Sequence, residues 1–105
     1  MNQRFEWDEA KNQSNLRKHG VSFEDASYVF DDPHFISIQD RYVEGEERWQ
    51  TLGVINSFLV LMVAHTVLQK LENCDFLEII RIISARQATK HERRNYENEI
   101  RKLHP

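Results

Sequence analysis

Cysteine is almost absent from this sequence, with Cys74 alone among 105 residues. An intramolecular disulfide, a cysteine metal cluster and a CxxC redox centre are therefore excluded. Glycine is nearly as scarce. Gly20, Gly45 and Gly53 stand apart from one another, so no glycine-rich loop can cradle a nucleotide phosphate. Long apolar runs are also missing: the longest, residues 58–64, falls well short of the roughly 20 residues that span a bilayer. No basic, apolar leader opens the chain, which sets the expectation of a cytoplasmic protein with no membrane partner. The histidines at 19, 34, 65, 91 and 104 form no HxxxH or HExxH pair. Neither a metal nor any other cofactor is expected.

What is present suits one globular domain, residues 1–105, of 12.6 kDa with 40% hydrophobic and 30% charged residues. A formal charge of -3 argues against a dedicated nucleic-acid binder. Its distribution tells more. Residues 1–80 carry 7 Lys/Arg and 14 Asp/Glu, whereas residues 81–105 carry 7 and 3. Between residues 22 and 47 eight carboxylates face one arginine. Such a split gives a dipolar surface, or solvated faces joined by salt bridges.

Periodicity and capping predict the elements. Phe5-Glu6-Trp7 alternates like an edge strand. Asp8 caps a helix over 9–19, weakly apolar, with Arg17, Lys18 and His19 at the end where cations suit the dipole and Gly20 as its stop. Ser22, with Asp25 three residues on, opens a second helix that Asp31-Asp32-Pro33 ends. Strands follow at 35–38, 47–54, 58–66 and 76–83, with an acidic loop at 40–46 and an irregular connection at 68–75. Ser84 and Gln87 read as a capping box for a last helix over 85–103, which places Arg86 in its first turn. The expected fold is α+β: two N-terminal helices, a mostly antiparallel sheet of three or four strands, and a C-terminal helix.

A chemistry without cofactor fits the remaining residues. RNA cleavage through the 2'-hydroxyl needs a proton carrier, cationic donors around the phosphate and an acid at the leaving oxygen. His65 ends the most apolar strand and supplies a tunable proton carrier; a satisfied strand histidine is the plain alternative. Arg81 interrupts an apolar strand and must meet water, a ligand or a carboxylate such as Glu47 or Glu78, and Arg48 is equally open. Arg86, Lys90 and Arg94 offer phosphate contacts on the last helix, with Lys18 and His19 as a reserve pair. Trp49 and Tyr96 are candidates for base stacking as well as for the core.

Several separated blocks resemble the BrnT family of toxins. They are Trp7-Asp8-x-x-Lys11-x-x-x-Asn15-x-x-Lys18-His19-Gly20-Val21-x-Phe23-x-x-Ala26, then Val29-Phe30-x-Asp32-Pro33, Glu47-Arg48 with Leu52-Gly53, and His65-Thr66. Arg81-Ile82-Ile83-Ser84-Ala85-Arg86-x-Ala88-Thr89 and Glu92-Arg93-x-x-Tyr96 complete the set. The resemblance covers about residues 5–97. It implies a RelE-like fold and a ribonuclease toxin of a type II toxin–antitoxin pair that blocks translation. The implied partners are RNA, free or ribosome-associated, and a BrnA-like ribbon-helix-helix antitoxin in a heterotetramer that carries the operator-DNA binding. The competing expectation is a non-catalytic module of the same fold that only docks a protein or nucleic acid.

Overall fold

Capping chemistry, more than hydrophobicity, defines the first helices. Asp8 Oδ1 accepts from the Lys11 N–H at 3.1 Å and opens α1 (Glu9–His19); Gly20 closes it at φ 71°, donating its N–H to Leu16 O at 2.9 Å. Ser22 Oγ accepts from the Asp25 N–H at 3.1 Å and opens α2 (Phe23–Ser27), which tightens into a 3-10 turn at Tyr28–Asp31. The computed structural model describes residues 2–103, so His104 lies outside the described residues.

Five strands form one mixed sheet: β1 (Asn2–Glu6), β2 (Ile36–Val43), β3 (Glu46–Ile55), β4 (Leu59–Glu72) and β5 (Asp75–Gln87). Their order is β1-β5-β4-β3-β2. The pairs β2–β3, β3–β4 and β4–β5 are antiparallel, and β1 lies parallel to β5, Phe5 opposite Ile80. The sheet therefore has more strands than the three or four expected, and one parallel pair. α1, α2 and the 3-10 turn cover one face, where Phe23, Ala26, Val29 and Phe30 pack on Leu61, Val63, Ile80 and Ile82. The opposite face carries α3 (Lys90–Leu103), whose Tyr96 and Ile100 pack with Leu52, Val60 and Met62.

α1 docks by hydrogen bonds. Asn15 donates to the carbonyls of Val21 and Ala85 at 2.8 Å each and accepts from the Ala85 N–H at 3.1 Å. Asn12 accepts from the Phe23 N–H at 2.8 Å and donates to Glu24 at 2.8 Å. The 3-10 turn approaches the sheet where Gly53 leaves room: a Cβ there would sit 2.6 Å from Val29 Cγ1 and 2.9 Å from Val29 O. Buried Asp32 ties the two layers, accepting from the Val54 N–H at 2.8 Å, the His34 N–H at 2.9 Å and the Tyr96 hydroxyl. Burial and the Asp32 carboxylate push the Tyr96 phenol well above its ordinary range.

Three segments differ from expectation. The acidic loop at 40–46 is mostly strand: β2 runs on to Val43, the turn is made at Glu44 and Gly45 with φ 52° and 79°, and β3 begins at Glu46. The irregular connection at 68–75 is instead the outer part of a long β4–β5 hairpin, turned at Asn73 and Cys74 with φ 52° and 66°. Its side chains are exposed on both faces, so no apolar-polar alternation marks it. The Ser84–Gln87 capping box is also absent, because these residues continue β5. A bulge between Ala64↔Ser84 and His65↔Ile82 adds one residue to β5, so Ala85 returns to the core three residues after Ile82 and imitates a helical period. The true box lies at Thr89: its Oγ1 accepts from the Glu92 N–H at 3.1 Å, and Glu92 Oε1 accepts from the Thr89 N–H at 2.9 Å.

Candidate functional site

Successive strand residues face opposite sides of a sheet, and this rule sorts the candidate residues. His65 pairs with Trp49, while the next residue, Thr66, pairs with Arg81. His65 and Trp49 thus share the α1–α2 face. Arg81 and Arg48 share the α3 face, as does Arg86, which pairs with Met62. The expected trio is split: the structure brings Arg48 and Arg81 together and places His65 behind the sheet.

Arg48 and Arg81 converge on one carboxylate. Arg81 Nη2 donates to Glu46 Oε1, and Arg48 Nε lies 3.5 Å from the same oxygen. The Arg48 approach is within charge–charge range but is not aligned as a hydrogen bond. Among the described residues, Arg48 Nε is a buried side-chain nitrogen with no acceptor. Such a group costs about 1–3 kcal/mol unless a partner arrives. A shallow cleft of about 210 Å³ opens beside the cluster, with Arg81, Thr66 and Ile79 in its lining together with the carboxylates Glu6, Glu46 and Glu47. Arg81 lines this cleft and Arg48 meets it only through Glu46, so an anion of phosphate size can reach both guanidinium groups where it displaces that carboxylate. Glu46 falls in the segment expected as an acidic loop and is instead the first residue of β3. The signal for it is the Glu46-x-Arg48 spacing, which on a strand puts both side chains on one face.

The other cations play different parts. Arg86 stands in β5, not in a helix, and pairs with Glu92 through two bonds of 2.7 and 3.0 Å. That fork holds the Glu92 carboxyl down to about 2 and raises the Arg86 guanidinium. The pair anchors the first turn of α3 to the sheet. Lys90 and Arg94 are exposed one turn apart on α3. At about 100° per residue they point away from the Tyr96 side, which packs on the sheet. Lys18 and His19 close α1, in the layer that covers the opposite face.

His65 is 2% exposed. Its Nδ1 lies 3.3 Å from Thr66 O and its Nε2 2.6 Å from Thr51 Oγ1, which in turn lies 2.8 Å from Ser37 Oγ. A carbonyl only accepts, so Nδ1 carries the proton and Nε2 of the neutral ring accepts from Thr51. The Phe30 ring meets it edge-on at 5.0 Å. Burial holds the imidazole below its ordinary range, and hence neutral.

With this geometry in hand, comparison with known families gives a match over residues 7–92 to the family described as the ribonuclease toxin, BrnT, of type II toxin–antitoxin systems. The chain belongs to the BrnT family. Glu46, Arg48, Arg81, Arg86 and Lys90 fall inside the matched span, and Arg94 lies just beyond it. The crystal structure of the Brucella abortus ribonuclease toxin BrnT is similar in fold, with a TM-score of 0.53 at 22% identity, over 86% of this chain and 100% of that one. Comparison with curated proteins yields no match. As a BrnT-family toxin of a type II system, the chain has an antitoxin as its partner. No helix among the described residues is long and apolar enough to cross a membrane.

Proposed function

We propose that this BrnT-family chain is an endoribonuclease that cuts RNA on the α3 face of its sheet, without divalent metal, and so stops translation. The observation that carries this reading is the convergence of Arg48 and Arg81 on Glu46, with Arg48 Nε left without an acceptor. An incoming phosphate takes the place of the Glu46 carboxylate between the two arginines. Glu46 then stands free beside the ribose and takes the proton of the 2'-hydroxyl as its oxygen attacks phosphorus. The guanidinium groups hold the charge that grows on the phosphate oxygens. The bond to the 5'-oxygen breaks, that oxygen takes up a proton from water, and a 2',3'-cyclic phosphate remains. Lys90 and Arg94 attract the RNA backbone at longer range, Arg86 holds α3 in place, and His65 is a packed, neutral residue. The single domain is RelE-like in this reading and works in the cytoplasm. Its antitoxin is BrnA-like, with a ribbon-helix-helix part that dimerises to give a heterotetramer and reaches operator DNA.

Purified toxin incubated in EDTA with single-stranded RNA or translating ribosomes should yield 2',3'-cyclic phosphate ends. Arg81→Ala and Arg48→Ala each lower the rate by about 100-fold, the usual cost of one transition-state donor, and Glu46→Gln by about 100-fold or more as the loss of a base. Full activity in all three variants, or metal-dependent products with 3'-hydroxyl ends, would overturn the mechanism.

A further inference from the structure

A cleft of about 500 Å³, formed by the described residues, lies on the sheet face opposite Arg48 and Arg81. Its walls are Phe35, Trp49 and Val67, its floor is His65 and Ile80, and Glu47 and Glu78 stand at its rim. No lysine or arginine lines it, and His65 adds no charge because burial keeps it neutral. Phe35 and Val67 are 41% and 37% exposed. On the same face of the outer hairpin, paired Leu71 and Phe76 extend the apolar surface. Among the described residues the two carboxylates hydrogen-bond with neutral groups: Tyr42 donates to Glu47 and Gln3 to Glu78, both at 2.9 Å. An RNA strand would bring phosphates to two carboxylates with no cation between them. A peptide segment with aliphatic side chains and a lysine or arginine matches both the apolar walls and the acidic rim.

We infer that this cleft is the anchoring site for the antitoxin, which lays a basic, aliphatic segment in it and sets cationic side chains on Glu47 and Glu78. The inference rests on the reading of the α3 face as the RNA face. It divides the molecule between its two ligands: RNA meets guanidinium groups on one side of the sheet, and the antitoxin meets carboxylates on the other.

The test is a titration of purified cognate antitoxin into toxin, read by Trp49 emission and by calorimetry. Trp7 serves as the internal reference, since it packs against Phe23 in the core. Binding should shift the emission of wild-type toxin and leave that of Trp49→Phe unchanged. The double variant Glu47→Lys/Glu78→Lys should raise Kd by about 100-fold or more, because like charges are forced together. Its unfolding midpoint should stay at the wild-type value, and Glu78→Lys alone, at a residue that lines the antitoxin cleft and not the one beside Arg81, should weaken binding while cleaving RNA at the wild-type rate. Glu47→Gln/Glu78→Gln, which keeps shape and hydrogen bonding, should weaken binding by about tenfold. Unchanged Kd in both double variants overturns the inference, as does a loss of antitoxin affinity confined to Arg81→Ala, which would put the antitoxin on the RNA face. Absence of cleavage by wild-type toxin would strike only the proposed activity, because the binding series is read without RNA.

Discussion

On the α1–α2 face His65, Asn12 and Asn15 are buried with partners on both sides of each side chain, whereas on the α3 face Arg48 Nε is buried near Glu46 but, among the described residues, without a hydrogen-bond acceptor. The first arrangement fixes structure, since a satisfied polar network holds one geometry and has nothing left to offer a ligand. The second keeps part of its binding capacity unspent. Charge differs as well: on the α3 face two guanidinium groups meet around Glu46, whereas Glu47 and Glu78 rim the other cleft with no lysine or arginine in its lining among the described residues. One sheet thus separates two chemistries by little more than its own thickness.

The comparison can be strained where the layers join. Asp32→Ala leaves the Val54 and His34 N–H groups and the Tyr96 hydroxyl without their acceptor, and should lower the unfolding free energy by about 3 kcal/mol or more in urea denaturation. Tyr96→Phe removes one of these bonds and should cost about 1 kcal/mol. His65→Ala tests the structural side. It opens a cavity and unpairs Thr51, at about 2–3 kcal/mol of stability, with cleavage falling less than about tenfold. A 100-fold loss of cleavage in a stably folded His65→Ala protein would erase the distinction between the faces.

Acid supplies further checks. The unfolded chain takes up a proton at His65 that the folded chain refuses, so stability falls as pH drops below about 6.5. An NMR titration should find the His65 midpoint below that value. Glu92, held to about 2 by Arg86, behaves differently. Its contribution is complete above the ordinary carboxylate range and drains away between about pH 4.5 and 2. Glu92→Gln should flatten that slope, and Arg86→Ala should cost about 1–2 kcal/mol at neutral pH. The smallest effect belongs to the outer hairpin. Leu71→Ser and Phe76→Ser, at 63% and 60% exposed positions, should leave the unfolding free energy within about 0.5 kcal/mol.

Local signals explain which parts of this fold the sequence reveals. Asp8, Gly20 and Ser22 act within four residues of themselves, so α1 and α2 are legible from spacing alone. The run at 58–66 is legible because both faces of β4 are buried or half-buried from Leu59 down to Thr66, although Phe58 itself is exposed in the turn. The parallel docking of β1 on β5 joins residues about 75 apart and leaves no local trace. The bulge in β5 shifts side-chain parity by one residue, which turned a strand end into an apparent helix start and moved Arg86 into it. Among site residues, Arg48 and Arg81 stand out as charges in apolar strands. Glu46 does not, because its place between them depends on a register set by the neighbouring strands. His65 is legible as a histidine at the end of an apolar run, but its full burial and its face follow only from the sheet, where it pairs with Trp49.

The asparagine docking of α1 has a thermal and kinetic consequence. Leu16 is 44% exposed, and the buried side chains of this helix are Asn12 and Asn15. Detaching α1 therefore uncovers little apolar surface, and both the heat-capacity change and the denaturant sensitivity of that local opening are small. Amide hydrogens of α1 will exchange with solvent through a route that urea hardly accelerates, while those of central β4 must wait for the whole sheet to come apart. Toxin warmed or aged in solution will thus shed the order of its first helix before its sheet shows any change.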